Sequence, residues 1–279
     1  DAVGRFRMVD LDGRPIDVYA ADACLMQMTE VAYEVSDSVR FVIGSAQVQS
    51  YLGLPYRQMM YEINSGRFGG TSALVGKQDE PLLIAKMLPR MTEKSLDPLR
   101  GQQGRFDPKA SRTFTMSSLS APELRRSLGP AVNRLGQSLV DYLVEDRMRS
   151  MDLRFLIKNA PNFMGGAREL GSFLGLLEIH LDAEEQRLKR STTALAEVRR
   201  SVALVKEAAG FASIAYGYGT SYRDASQQLH LLGFKSIGIW LPQSQAEFEL
   251  RIDDFDRSQF YLDAPSWARW LRALYAPAP

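Results

Sequence analysis

The sequence predicts an α/β fold, a mostly parallel sheet flanked by helices, with an additional helical portion toward the carboxyl terminus. Three observations carry that expectation. Two short apolar runs, Ile16 to Ala21 and Val39 to Ser45, are separated by a stretch of helical periodicity. Helical spacing then dominates most of the chain beyond Ser120. A last apolar run, Ser236 to Leu241, is stopped by Pro242.

Asp12-Gly13 and Arg14-Pro15 read as a turn, and Ile16 to Ala21 follows as a short buried strand that finishes at Asp22. From Cys24 onward Met28, Val31 and Val35 recur at steps of four, three and four, a helical stripe that starts almost on the cysteine. Val39 to Ser45 is rich in β-branched residues and apolar nearly throughout, as expected of a strand covered on both faces. A strand, a helix and a parallel strand imply a right-handed crossover, and ligands on such sheets bind outside the carboxyl ends of the strands. Asp22, Cys24 and Ser45 all fall at that edge.

From about Thr92 to Ser120 the chain is polar and rich in Gly, Pro, Arg and Ser, which reads as a long surface loop. Ser120-Ala121-Pro122-Glu123 has the form of a capping box, opening an amphipathic helix from Leu124 to Glu145 that Gly129-Pro130 interrupts. After a glycine break at Gly165-Gly166, Glu169 to His180 and Asp182 to Ala209 read as helices. The second carries a packing stripe of Leu188, Leu195, Val198, Val202 and Val205, with Arg187, Lys189, Arg190, Arg199 and Arg200 as a solvated face opposite. The tail from Pro265 places Trp267, Trp270 and Leu271 at helical spacing, as in a helix that caps a core.

The chain of 279 residues carries 34 Lys and Arg against 33 Asp and Glu, so no global charge favours nucleic acid or an anionic membrane surface. No apolar run approaches the length a membrane-spanning helix needs. The single cysteine cannot form an internal disulfide and leaves the redox compartment open. The first residue is aspartate, and no signal-like apolar stretch precedes the first strand; the expectation is a chain whose beginning lies elsewhere, through trimming or through proteolytic cleavage upstream of Asp1.

Cys24 admits two readings. Flanked by Ala23, Leu25 and Met26, it suits a small buried hydrophobe. Placed where a strand gives way to a helix, it equally suits a nucleophile, with its own backbone N–H available to an oxyanion. The two histidines, His180 at the end of a helix and His230 near Leu231-Leu232, read as structural rather than catalytic.

The run from Pro15 through Asp22-Ala23-Cys24-Leu25-Met26 to Glu30-Val31-Ala32-Tyr33-Glu34 closely resembles the active-site segment of the clostripain family of cysteine peptidases. Further family-like stretches follow in order: Ser45 to Tyr56, ending in Gly53-Leu54-Pro55-Tyr56; Ser117 to Leu124; Glu169 to Leu174; Ile237 to Pro242; and the closing Trp267 and Leu271. The resemblance implies a caspase-like α/β fold, with residues 1–91 as the carboxyl-terminal part of the peptidase core bearing the nucleophile, 92–120 as a surface loop, and 121–279 as a helical portion with the closing strand and helix of the same or an appended domain. In caspase-type signatures the catalytic histidine precedes the cysteine by about 50 residues. The resemblance therefore implies a histidine upstream of Asp1, in a small amino-terminal chain of the same precursor that self-cleavage separates from the large one.

By the same resemblance Cys24 is the nucleophile, and Asp22 lies in the primary specificity pocket, selecting Arg or Lys before the cut bond; an Asp that merely caps the following helix is the alternative. Ser45 and Gln47 are further candidate substrate-binding residues. The loop from Ser45 to Tyr56 carries no acid where family members commonly have one, Gln47 and Leu52 standing at such positions. Calcium is allowed by the resemblance alone and no EF-hand-like motif occurs. The resemblance also implies a zymogen that is secreted, periplasmic or surface-bound, with Arg100, Arg105 and Lys109 as candidate secondary self-cleavage sites. The competing readings are a non-catalytic scaffold that keeps the peptidase fold and, third, a cysteine acyltransferase.

Overall fold

The computed structural model of the chain describes residues 14–50, 53–66, 79–96, 113–219 and 233–276. Strands β1 (Ile16–Ala20) and β2 (Val39–Gly44) lie parallel, with Val18 opposite Phe41 and Tyr19 opposite Val42, joined through helix α1 (Thr29–Val35). This is the crossover unit the two apolar runs predict. Beyond β2 come helices α2 (Tyr56–Ser65) and α3 (Glu80–Leu96), then β3 (Thr115–Ser120).

The sheet is completed by β5 (Ser213–Tyr218) in the order β1-β2-β3-β5, with β3 antiparallel to both neighbours. Among the described residues it is thus mixed, one parallel pair and two antiparallel pairs, rather than mostly parallel. The parallel rule applies to a single crossover helix, as between β1 and β2. Several helices intervene between β3 and β5, and no such rule holds for them.

Helix α3 and strand β3 take up the two ends of what reads as loop. Helix α3 continues to Leu96, Thr115 to Ser120 form an interior strand, and Arg100, Arg105 and Lys109 lie outside the described residues. Its polar residues Thr115, Ser117 and Ser118 are fully buried because each hydroxyl finds a partner. Ser117 Oγ donates to the Ser236 carbonyl at 2.9 Å, Ser118 Oγ to the Ala85 carbonyl at 2.6 Å, and Thr115 Oγ1 lies 3.2 Å from Ser45 Oγ. These bonds fasten the strand to α3 on one side and to the 236 loop on the other.

Alternate residues of the sheet face two layers, as a period of two requires. Phe41, Ile43 and Met116 pack with Ala85, Leu88 and Leu96 of α3. Val42 and Leu119 face a larger layer of helices, in one apolar cluster with Tyr33, Leu135, Trp240 and Trp267. That layer begins with a helical turn (Ala121–Glu123) and a π-helical turn (Leu124–Leu128) leading into α4 (Gly129–Glu145), which starts at the predicted interruption. The capping box does not form. Ser120 makes no side-chain cap, and Glu123 instead accepts the Ser127 hydroxyl at 2.6 Å.

After α5 (Arg149–Asn159) the chain turns at Gly165 and Gly166, with φ of 72° and 80°, into β4 (Ala167–Glu169). Strand β4 pairs antiparallel with β6 (Gly238–Trp240), the shorter core of the last predicted strand. Helix α6 (Leu170–Leu188) passes through His180, whose Nε2 lies 3.1 Å from the Tyr142 hydroxyl of α4, and stops at Lys189 in the left-handed region. Helix α7 (Thr193–Ala212) buries Leu195, Val198, Val202 and Val205, while Arg199 and Arg200 pair with Asp182, Glu185 and Glu197 on the solvated side.

Helices α8 (Gln245–Phe255), α9 (Gln259–Asp263) and α10 (Pro265–Tyr275) close the layer. Helix α10 buries Trp267, Trp270 and Leu271 as the aromatic spacing predicts. It approaches α4 at Gly136, where a Cβ would fall 2.5 Å from the Trp267 nitrogen, a distance only glycine allows. No helix among the described residues is long and apolar enough to cross a membrane.

Candidate active site

Strand β1 ends in a turn whose conformation is imposed from a distance. The Ala21 amide donates to the Ile43 carbonyl at 2.8 Å, extending the β1–β2 ladder, and the chain then leaves the sheet. The Leu25 amide donates to the Gln47 carbonyl at 3.3 Å and the Gln27 amide to the Ser45 carbonyl at 3.1 Å. These bonds stitch the turn to the loop after β2. Between them Leu25 is held at φ 61°, a left-handed conformation costly for a branched side chain and found where surrounding structure imposes it.

The turn is locked from beneath as well. Gln27 is fully buried with its Nε2 donating to the Val42 carbonyl at 3.3 Å. Gly44 leaves room for it, since a Cβ there would sit 3.0 Å from Met26 Cβ and 3.1 Å from Gln27 Oε1. Strand β6 docks from the other side: the Gly238 amide donates to the Gln27 carbonyl at 3.0 Å, and Thr29 Oγ1 to the Gly238 carbonyl at 2.9 Å. Buried Glu30 accepts the Trp240 amide at 2.9 Å, and its carboxyl is pushed up to about 7 because burial disfavours the charged form.

Cys24 stands exposed at the crest of this turn. The helix does not begin on it; α1 starts at Thr29, because the long-range bonds of the turn override the periodicity that reaches back from Val31. The Cys24 amide is therefore not a helix N-terminal donor. It meets no acceptor among the described residues, while the sulfur receives the Gln49 backbone N–H at 3.3 Å. An exposed cysteine with a backbone donor on its sulfur is unlike the buried filler that composition favours.

Asp22 is exposed two residues earlier and does not cap a helix. Its Oδ2 accepts the Leu54 amide at 3.1 Å and the Tyr56 hydroxyl at 2.7 Å. The turn that delivers both donors passes through Gly53 at φ 65°, so close that a Cβ would lie 2.5 Å from Asp22 Oδ2. The carboxylate in turn raises the Tyr56 phenol above its ordinary value, since the phenol's proton holds that bond. The Gly53-Leu54-Pro55-Tyr56 run stands out in the sequence; that its donors serve Asp22 does not.

Ser45, expected at the substrate, is fully buried and offers a ligand no surface. Its hydroxyl donates to the Gln47 carbonyl at 3.0 Å and accepts the Gln47 amide at 3.2 Å, shaping the loop that holds Leu25. Gln47 is half-buried. Its Oε1 accepts the amides of Val48 at 3.0 Å and Met164 at 3.3 Å, tying the loop beside Cys24 to the glycine turn before β4. Leu52 and His230 lie outside the described residues. Among those described, no group of three or more His, Cys, Asp or Glu side chains is placed to hold a metal ion.

The segment carrying these features, residues 6–73, matches the family model of the clostripain family, Peptidase C11. No curated protein matches the chain. Among solved structures, a Bacteroides fragilis cysteine protease is similar at a TM-score of 0.51 and 14% identity, covering 95% of this chain and 93% of that one. An inactive zymogen C11 protease from Parabacteroides distasonis is similar at a TM-score of 0.52 and 16% identity, over 91% of this chain and 60% of that one. A secreted C11 cysteine protease from Bacteroides thetaiotaomicron, in complex with an irreversible peptide inhibitor, is similar at a TM-score of 0.52 and 16% identity, over 90% and 59%. The Cys24-bearing segment thus matches the clostripain family of cysteine peptidases, and the chain as a whole shares its fold with solved C11 proteases.

Proposed function

We propose that the chain is the large, nucleophile-bearing part of a cysteine endopeptidase of caspase-like fold that cuts after basic residues. The observation that carries this reading is the exposed Cys24 on a strained turn at the carboxyl end of β1, its sulfur directed by the Gln49 amide and the anchored Asp22 carboxylate two residues away. A sulfur so placed attacks a carbonyl laid across the turn. A new C–S bond forms as the carbonyl becomes an oxyanion, for which the Cys24 N–H is the donor in this chain. Collapse expels the amine, which takes from a histidine the proton that the Cys24 thiol gave up to it before attack, and water then hydrolyses the acyl-enzyme to free acid and thiol.

The histidine belongs to a companion segment of the same precursor, upstream of the nucleophile strand and separated from it by self-cleavage. Supporting this, β1 pairs only with β2 among the described residues and keeps its other edge open, while His180 is engaged with Tyr142 on the helical layer. A parallel strand added to that edge ends beside Cys24. Asp22 selects Arg or Lys by charge-assisted hydrogen bonding. Ser45 and Gln47 act on the substrate through the loop they hold. The similar Bacteroides protein described as secreted supports an exported enzyme, and the similar Parabacteroides protein described as an inactive zymogen supports maturation from one.

The test is hydrolysis of matched peptides ending in Arg, Lys, Gln or Leu before the cut bond, by native protein and by the Cys24→Ala and Asp22→Asn variants. Cys24→Ala is expected to abolish cleavage, and Asp22→Asn to lose roughly a hundredfold or more on basic peptides alone. Cleavage that survives Cys24→Ala contradicts the reading.

A further inference from the structure

The way Asp22 is anchored carries a consequence for which basic side chain the pocket takes. A carboxylate oxygen accepts two hydrogen bonds in its plane. Both acceptor positions of Asp22 Oδ2 are occupied, by the Leu54 amide at 3.1 Å and by the Tyr56 hydroxyl at 2.7 Å. Among the described residues Oδ1 meets no donor, so the exposed half of the carboxylate is one oxygen. A guanidinium gains over an ammonium by placing two parallel N–H groups on two carboxylate oxygens. Here the second oxygen is taken, and the advantage of the fork is removed. An ammonium, a point charge that needs one oxygen and turns its other N–H groups to water, loses nothing.

We infer that Tyr56, through the hydrogen bond that closes Asp22 Oδ2, is a specificity-determining residue that makes the pocket select lysine over arginine before the cut bond. The inference rests on the peptidase reading above and names its substrate more closely. Tyr56 does not touch the reacting atoms; it is a positioning residue that acts through Asp22. Its side chain is half exposed at the start of α2, a helix that buries none of its residues, so removing the hydroxyl leaves the packing intact. Gly53 makes the arrangement possible, since any side chain there would push the Leu54 amide and the phenol away from Asp22.

The experiment compares kcat/KM for a pair of peptides differing only in Lys or Arg before the cut bond, with native enzyme and with Tyr56→Phe. Native enzyme is expected to prefer Lys. Tyr56→Phe reopens one acceptor position on Oδ2, so the Arg-to-Lys ratio is expected to rise roughly tenfold, through KM for the Arg peptide, with kcat little changed. A thermal melt of the variant equal to that of native protein assigns the effect to the pocket. Native preference for Arg, or a ratio that Tyr56→Phe leaves unmoved while both peptides are cut, overturns the inference and leaves the basic-residue peptidase standing. Failure of native protein to cut either peptide overturns both.

Discussion

Glu30 lies six residues beyond Cys24 and joins the Cys24 turn and its helix to β6, and its burial makes that joint sensitive to pH. Its carboxyl is pushed from an ordinary 4.5 to about 7, chiefly by burial, against a smaller opposing effect of the Trp240 amide. Between those two values the folded chain binds a proton that the unfolded chain has released. Stability therefore falls as pH rises through this window, is fully present below it and is flat above it. Each pH unit crossed inside the window costs about 1.4 kcal/mol, so the loss attributable to Glu30 from about pH 5 to about pH 8 is on the order of 2 to 3 kcal/mol. Glu30→Gln keeps an oxygen for the Trp240 amide and removes the ionisation. Urea unfolding of native and variant protein at both pH values measures it: the two should match near pH 5, and the variant should be more stable by that amount near pH 8. Buried Glu169, also raised by desolvation, affects both proteins alike and cancels in the difference. A stability difference equal at the two pH values refutes the reasoning.

The glycines and Gln47 that shape the turn give three more expected outcomes. Gly44→Ala places a methyl 3.0 Å from Met26 Cβ and shifts the turn by a few tenths of an ångström; kcat should fall roughly ten- to a hundredfold with the fold retained, read by steady-state kinetics beside a thermal melt. Gly53→Ala, strained at φ 65° and pressed on Asp22, should raise KM for basic peptides while leaving the rate of Cys24 labelling by an uncharged reagent little changed. Gln47→Ala frees the Met164 and Val48 amides, and a stability loss of about 1 to 2 kcal/mol in urea unfolding is expected, with faster hydrogen exchange at Met164.

What is legible in the sequence is what local periodicity controls. Strands β1 and β2, the α7 stripe and the aromatic helix α10 declare themselves because their apolar spacing matches their burial. Strand β3 does not, since Thr115, Ser117 and Ser118 look like loop residues until Ser45, Ser236 and Ala85 supply their partners. Strand β5 is hidden for a similar reason: Ser213 follows α7 with no turn residue to mark the change. The break after α6 falls at Lys189, a left-handed position with no glycine to announce it. At the site, Cys24 and Asp22 are visible by motif. The start of α1, the inward hydroxyl of Ser45 and the donors from Leu54, Tyr56 and Gln49 are not, because each depends on contacts between the turn and later loops.

Whether Cys24 is the nucleophile of a processed peptidase with a basic primary pocket is tested most directly by denaturing intact-mass analysis of purified native protein, before and after reaction with lysyl and arginyl chloromethyl ketones. The expected result is a second, histidine-containing fragment accompanying the large chain and one inhibitor adduct on Cys24. Labelling by an uncharged reagent alone would retain the nucleophile but remove Asp22 as the selector. A single chain whose cysteine stays unlabelled by every reagent contradicts the claim.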